Sequence, residues 1–128
     1  MAAARALRRR YGAALARWEI TPGQARALRI VTGPGEAPRL SEIADRLRIV
    51  PRSATEVVDA LEQRGLVVRR PDPADRRATC VVATAEGERL ATIIEDARAE
   101  QARDYLAVLP ASDRAELRRI LEKLVADD

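Results

Sequence analysis

Only one part of this chain is built to make β structure, and its place in the order of elements limits the fold. Residues 67–83, VVRRPDPADRRATCVVA, hold two short runs of β formers around a turn rich in proline and aspartate. Before and after it, apolar residues recur at helical spacing. The hairpin follows directly on a short helical stretch and a longer one, so the middle of the chain reads helix, turn, helix, hairpin. It carries four arginines, Arg69 and Arg70 on the incoming strand, Arg76 and Arg77 beyond the tip.

The helices around it can be placed from their stripes and caps. Leu7, Tyr11, Ala14, Leu15 and Trp18 form one apolar stripe on a first helix, about residues 2–19. Thr21 caps the next helix, with Pro22 at its first position, Gln24 completing a capping box, and Ala25, Leu28 and Val31 on the buried side. TGPGEAP is a loop. Ser41 is expected to cap a short helix with Ile43, Ala44 and Leu47 inward, and a short third strand can form near Arg39–Leu40. The helix in PRSATEVVDALEQRG buries Ala54, Val57, Val58 and Leu61 and stops at Gly65. Its start is open between Pro51 in the first turn and a Ser53–Glu56 capping box. After Thr84, another cap, a long helix carries Leu90, Ile93, Ile94, Ala97 and Tyr105, with Gln101 as the polar break in the stripe. Pro110 ends it, and Ser112 opens a last helix with Leu117, Ile120, Leu121 and Leu124. The expected fold class is mainly α with a small antiparallel β-hairpin, in a single domain over residues 1–128.

Composition removes several kinds of function. The chain has no histidine, and its serines and threonines are mostly caps with no neutral-pH base beside them. Its 20 carboxylates are spaced like solvated helix faces rather than metal loops. No enzymatic activity, metal or cofactor is expected. Cys80, the single cysteine, rules out an internal disulfide framework. As a redox sensor it would need an exposed, acidic thiol, whereas strand alternation can equally turn it inward. No apolar run reaches the roughly 18 residues of a membrane span, and the N-terminus lacks a secretory pattern. A cytoplasmic protein is expected. Charge is uneven: residues 1–38 hold seven arginines against two glutamates, while residues 86–128 hold seven basic against eleven acidic groups. The basic two thirds suit an anionic partner.

A short helix, a tight turn and a longer helix make a helix-turn-helix, whose second helix enters the DNA major groove. Opposite Ala54 on the wheel stand Arg52, Glu56, Asp59 and Gln63, with Ser53, Thr55 and Ala60 on the flanks. At the N-terminal end Arg52, Ser53 and Thr55 can reach bases or phosphates. Glu56 can read cytosine, cap its own helix or exclude wrong sites. The plain alternative is an amphipathic helix with a wet outer face. A hairpin immediately after it completes the winged helix-turn-helix, and a wing tip bearing arginine suits a narrow minor groove.

The same residues carry a family likeness. LSEIADRL, then SATEVVDALEQRGLVVRRPDPADRRATCVVATAEGERL, strongly resembles the MarR family (multiple antibiotic resistance regulators) over about residues 20–92. DPADRRA and LEQRGLV are its specific parts. The resemblance implies a homodimeric transcription factor on double-stranded DNA, usually a repressor released by a small ligand or an oxidant. Its DNA-binding lobe would span about residues 21–84, with dimerisation helices at about 2–19 and 85–126. By the same likeness Arg77 enters the minor groove, Asp75 helps to hold it, and Arg76 is an adjacent backbone contact. Arg70, with Arg69, is a phosphate contact or a partner of Asp59, and Asp59 braces the recognition helix against the wing. One departure stands out: Arg48 occupies a turn position where the family often has glycine.

The stripes of the first helix and the last pair can be buried within a lone domain or between two copies. In a dimer, two-fold symmetry sets the recognition helices about 34 Å apart on a pseudo-palindromic operator. The resemblance places any effector between the dimerisation helices and the DNA-binding lobe. Tyr11, Trp18 and Tyr105 are the three aromatics such a pocket could draw on, and Arg or Tyr there could bind an anionic ligand. The competing reading is a winged-helix protein-interaction module that never binds DNA.

Overall fold

In the computed structural model, which describes residues 1–126, the chain runs through α1 (Ala2–Leu15), a 3-10 turn (Ala16–Trp18), α2 (Pro22–Thr32), α3 (Leu40–Leu47) and α4 (Pro51–Gln63). A hairpin of β1 (Val67–Pro71) and β2 (Thr79–Ala83) follows, then α5 (Ala85–Leu106) and α6 (Ala111–Ala126). The strands pair antiparallel, Val67 opposite Ala83 and Arg70 opposite Cys80. The third strand amounts to one bridge, Arg39 to Cys80, with the Val81 N–H donating to Pro38 O at 2.9 Å. Leu40 already belongs to α3.

Two caps form as the sequence implies. The Thr21 hydroxyl accepts from the Gln24 N–H and the Gln24 side chain from the Thr21 N–H, both at 3.1 Å, and Thr84 Oγ1 accepts from the Gly87 N–H at 3.1 Å. Two others do not, and the open start of α4 resolves to Pro51. Ser41 lies inside α3, which starts at Leu40 because the Glu42 carboxylate reaches back to the Arg39 N–H at 3.2 Å. Ser53 and Glu56 make no capping box, since Pro51 takes the first position of α4 with its preset φ. Ser112 is already helical, as Pro110 O accepts from the Asp113 and Arg114 N–H groups. The long helix ends at Leu106, ahead of Pro110, which disfavours helical backbone at Leu109.

Leu15, Leu28, Ile43, Val58, Leu61, Val67 and Val81 are the largest fully buried side chains. They come from α1 to α4 and both strands, and α2 lies at the centre, touching α3, α4, α5 and β2. The core therefore belongs to the helix-turn-helix and wing. α6 is different: it buries no residue, and Ile120, Leu121, Leu124 and Val125 are 43–75% exposed. The stripe read on the last helix is real as a pattern, but the chain does not bury it internally.

The end of α4 is where the lobe is joined. Gly65, at φ +71°, and Leu66 return their N–H groups to Glu62 O (2.9 Å) and Leu61 O (3.0 Å), closing the helix in a left-handed turn. Thr84 then caps across to this turn, its N–H donating to Leu66 O at 3.0 Å and its hydroxyl to Gly65 O at 2.6 Å. Gly87 sits so close that a Cβ there would lie 2.0 Å from Leu66 O. Only a residue without a side chain allows that approach. Gly87→Ala is expected to destabilise by about 3 kcal/mol, at the upper end of overpacking costs, read as a lower urea midpoint.

α3 ends in the same kind of turn but without glycine. Arg48 holds φ +57°, its N–H on Asp45 O and the next N–H, from Ile49, on Ala44 O, both at 3.1 Å. A left-handed non-glycine residue is strained by roughly 1–2 kcal/mol. Arg48→Gly is expected to recover about 1 kcal/mol of this, raising the denaturation midpoint.

Candidate nucleic-acid interface

α4 packs Ala54, Val58 and Leu61 into the core and leaves its other side open. Of the residues singled out there, the Arg52 and Glu56 side chains are 91% and 71% exposed and lie 3.9 Å apart, one helical turn from each other. Ser53 and Thr55 are half-buried. The Thr55 hydroxyl donates to Pro51 O at 3.1 Å, so it is held against its own helix. Glu56 caps nothing.

Asp59 belongs to a different set. Arg69 of β1 donates to Asp59 Oδ1 at 2.5 Å and to Glu62 Oε1 at 2.7 Å, and its backbone N–H meets the other Glu62 oxygen at 3.0 Å. One guanidinium therefore spans two carboxylates a turn apart on α4 and ties the first wing strand to that helix. Arg69 is consumed in this pairing. Arg70, the next residue, faces away and is exposed.

The wing loop is built from aspartates acting on backbone. Asp72 Oδ1 accepts from the Ala74 N–H at 2.8 Å, and Asp75 Oδ1 from the Arg77 N–H at 3.0 Å. Both are side-chain turns that fix the next two residues. Asp75 thus holds Arg77 by its backbone and leaves the guanidinium free. Asp72 N–H to Ala78 O (3.0 Å) and Ala78 N–H to Asp75 O (3.0 Å) close the loop. Arg76 and Arg77 are exposed at its tip. Among the described residues no carboxylate pairs with Arg70, Arg76 or Arg77.

Four contributors escape a reading of local sequence. Glu62 looked like a solvated helix residue. Arg39 Nε sits 2.6 Å from Asp72 Oδ2, joining positions 33 residues apart. Arg64 donates to Trp18 O at 2.8 Å and Glu19 O at 3.0 Å, linking the end of α4 to the exit of the first helix. Gly87 showed no signal beyond being a glycine in a first turn. Each depends on long-range geometry.

The Ala74 N–H, and after it the Arg39 guanidinium, hold the Asp72 carboxyl below its ordinary range. Its contribution to stability is therefore present above the ordinary value of about 3.9 and lost as pH falls through the depressed one. Cys80, opposite Arg70, is 4% exposed. Burial first, and then the Asp72 charge beside it, push its thiol up. Such a group is mostly protonated at neutral pH and shielded. A disulfide reagent at pH 7 is expected to leave Cys80 unmodified in the folded protein and to label it fully in guanidinium, and rapid native labelling would contradict this placement.

Helix-turn-helix, paired hairpin and free arginines at the tip define a winged helix-turn-helix protein. The MarR family model matches residues 20–79. The chain is 33% identical over 110 residues to a putative transcriptional regulatory protein for the hcr operon of Thauera aromatica, across 85% of this chain and 65% of that one. It is 31% identical over 106 residues to the transcriptional repressor MdtR of Bacillus subtilis, across 82% of this chain and 67% of that protein. The chain thus spans about two thirds of the length of these curated relatives. Among solved structures, the Mycobacterium tuberculosis MarR family protein Rv2887 in complex with salicylic acid is 29% identical with a TM-score of 0.75, covering 95% of this chain and 90% of that one. This chain belongs to the MarR family. In the described residues no helix is long and apolar enough to cross a membrane.

Proposed function

We propose that this chain is a sequence-specific double-stranded-DNA-binding transcriptional regulator that works as a homodimeric repressor relieved by a small molecule. The observation that carries this reading is the division of labour among the wing arginines. Arg69 is paired to α4, which anchors the strand, while Arg70, Arg76 and Arg77 are exposed and pair with no carboxylate among the described residues. Free guanidiniums next to an exposed helix face suit a polyanion with grooves. Arg52 and Ser53 at the start of α4 face bases or phosphates, with Thr55 contributing its methyl side and Glu56 discriminating against unsuitable sites. Arg77 inserts into the minor groove, Arg76 and Arg70 contact the backbone, and Asp75 and Asp59 hold the wing in place.

The exposed apolar residues of α6 support a dimer, because Ile120, Leu121 and Leu124 have no cover within one chain. Two copies joined there place two recognition helices on a pseudo-palindrome. For the effector, a cavity of about 310 Å³ lies where α1, α2 and α5 meet, with Tyr11, Leu28, Arg29, Ala91, Ile94 and Glu95 in its wall. That is the size of a small-molecule site. The salicylic acid held by the Mycobacterium protein makes a small aromatic acid a natural first ligand to try, with Arg29 as the cation.

Arg77→Ala is the direct test. On a duplex selected from a random pool by the wild-type protein, affinity is expected to fall at least tenfold with the thermal midpoint unchanged. If Arg77 also neutralises a phosphate, the slope of log affinity against log salt falls by about one. Unchanged affinity would remove Arg77 from the interface. A wild-type protein with no salt-dependent affinity for any duplex would favour the protein-interaction reading.

A further inference from the structure

Beyond the buried strand residues and the backbone bridge of β2 to Pro38 and Arg39, two side-chain attachments tie the wing to the helix-turn-helix. The first is Arg69 on Asp59 and Glu62, which fixes β1 against α4. The second lies at the other end of β1, where Asp72 begins the loop. Its Oδ2 meets Arg39 Nε at 2.6 Å, with the Asp72 side chain 12% exposed, and its Oδ1 takes the Ala74 N–H. Arg39 is itself fixed in place. Its backbone bridges to Cys80 of β2, and its N–H is held by Glu42 in the first turn of α3. The guanidinium therefore leaves the junction of α3 and β2 and grips the point where the loop departs.

The Arg69 contacts and the backbone bridge at Cys80 and Val81 hold the strands but leave the loop beyond Pro71 free to twist. The second attachment removes that freedom just before the tip, since Asp72 also closes the loop to Ala78 and receives the Asp75 N–H. Arg76 and Arg77 follow within five residues. We infer that Arg39 and Asp72 are positioning residues: their ion pair latches the wing loop to the first helix of the helix-turn-helix and so sets where the Arg77 side chain meets DNA. This rests on the DNA-binding reading above. Neither residue needs to touch DNA for the effect. The gain is pre-organisation, since a tip held in its bound position loses less freedom on binding.

The test is a double-mutant cycle in the full chain. Asp72→Asn removes the charge but can still accept from the Ala74 N–H. Arg39→Gln, which leaves Asp72 and its turn untouched, is the second probe. Affinity is measured by fluorescence anisotropy on a duplex of about 30 base pairs, roughly three turns, selected from a random pool by the wild-type protein. Each single variant is expected to bind about tenfold more weakly. In an Arg77→Ala background the same changes should cost less than about twofold, because the tip they aim is gone. A merely structural role would lower affinity equally with and without Arg77, and that result overturns the inference. So does wild-type affinity in both Asp72→Asn and Arg39→Gln. If the wild-type protein selects no duplex at all, the DNA-binding reading itself falls and this inference with it.

Discussion

The lobe depends on a backbone contact that no side chain makes. Gly87 in the first turn of α5 rests on the Leu66 carbonyl, and Thr84 donates twice to the same turn. At this one place α4 has ended, the wing is about to start and the long helix begins. If a Cβ kept α5 away, Thr84 would lose both acceptors, and β2 would lose its fixed link to the end of α4. Arg64 extends the joint by donating to the carbonyls of Trp18 and Glu19. The recognition helix is thereby connected at one end to both long terminal helices. Close packing leaves such a joint little room to yield, so a shift of α5 or of the α1 exit must be shared by α4.

Arginine makes up nearly all the positive charge, yet the individual guanidiniums do unlike jobs. Arg69 and Arg39 neutralise carboxylates, Arg64 satisfies carbonyls, and Arg70, Arg76 and Arg77 are left over. Arginine suits the first two uses because its planar fork can engage two acceptors at once, as at Asp59 and Glu62. These pairs are partly solvated, so each adds little to stability alone. What they supply is direction. With one strand end fixed to α4 and the other to Arg39, the wing has a defined orientation relative to the recognition helix.

Much of this was legible in the sequence, and the limits are physical. Apolar periodicity located every helix, and Thr21 with Gln24 and Thr84 marked starts correctly, because those signals act within four residues. Ser41 and Ser112 misled for the same reason, and of the two starts open for α4 the structure takes Pro51 rather than Ser53. A serine caps a helix only if its own backbone is extended, and these serines lie inside helices that begin at Leu40, Pro51 and Ala111. The hairpin and its family likeness singled out Arg77 and Asp75 as a pair, and the hold between them runs through the Arg77 N–H. Which arginine is paired and which is free was not legible. Arg39 with Asp72 and Arg64 with Trp18 join distant positions, and only the folded register brings them together.

The stripe on α6 shows where periodicity stops being informative. Leu117, Ile120, Leu121 and Leu124 mark a helix with a wet side and a dry side, but not what keeps the dry side dry. In the described residues only Leu117 is partly covered, and α6 has no buried residue. Its local supports are modest: the Pro110 carbonyl at its start, the Arg114 guanidinium donating to Leu109 O at 2.8 Å, and an exposed Arg119–Glu116 pair. A helix of 16 residues with only such supports is marginal in water. Apolar side chains on a marginal helix cost nothing extra while exposed, yet each gains about 25 cal/mol per Å² once covered. Stability of α6 therefore rises with whatever apolar surface covers Ile120, Leu121 and Leu124. The winged-helix lobe, with α1 and α5 packed against it, holds itself together through Leu15, Ile94 and the core around α2, whereas α6 shares none of that core.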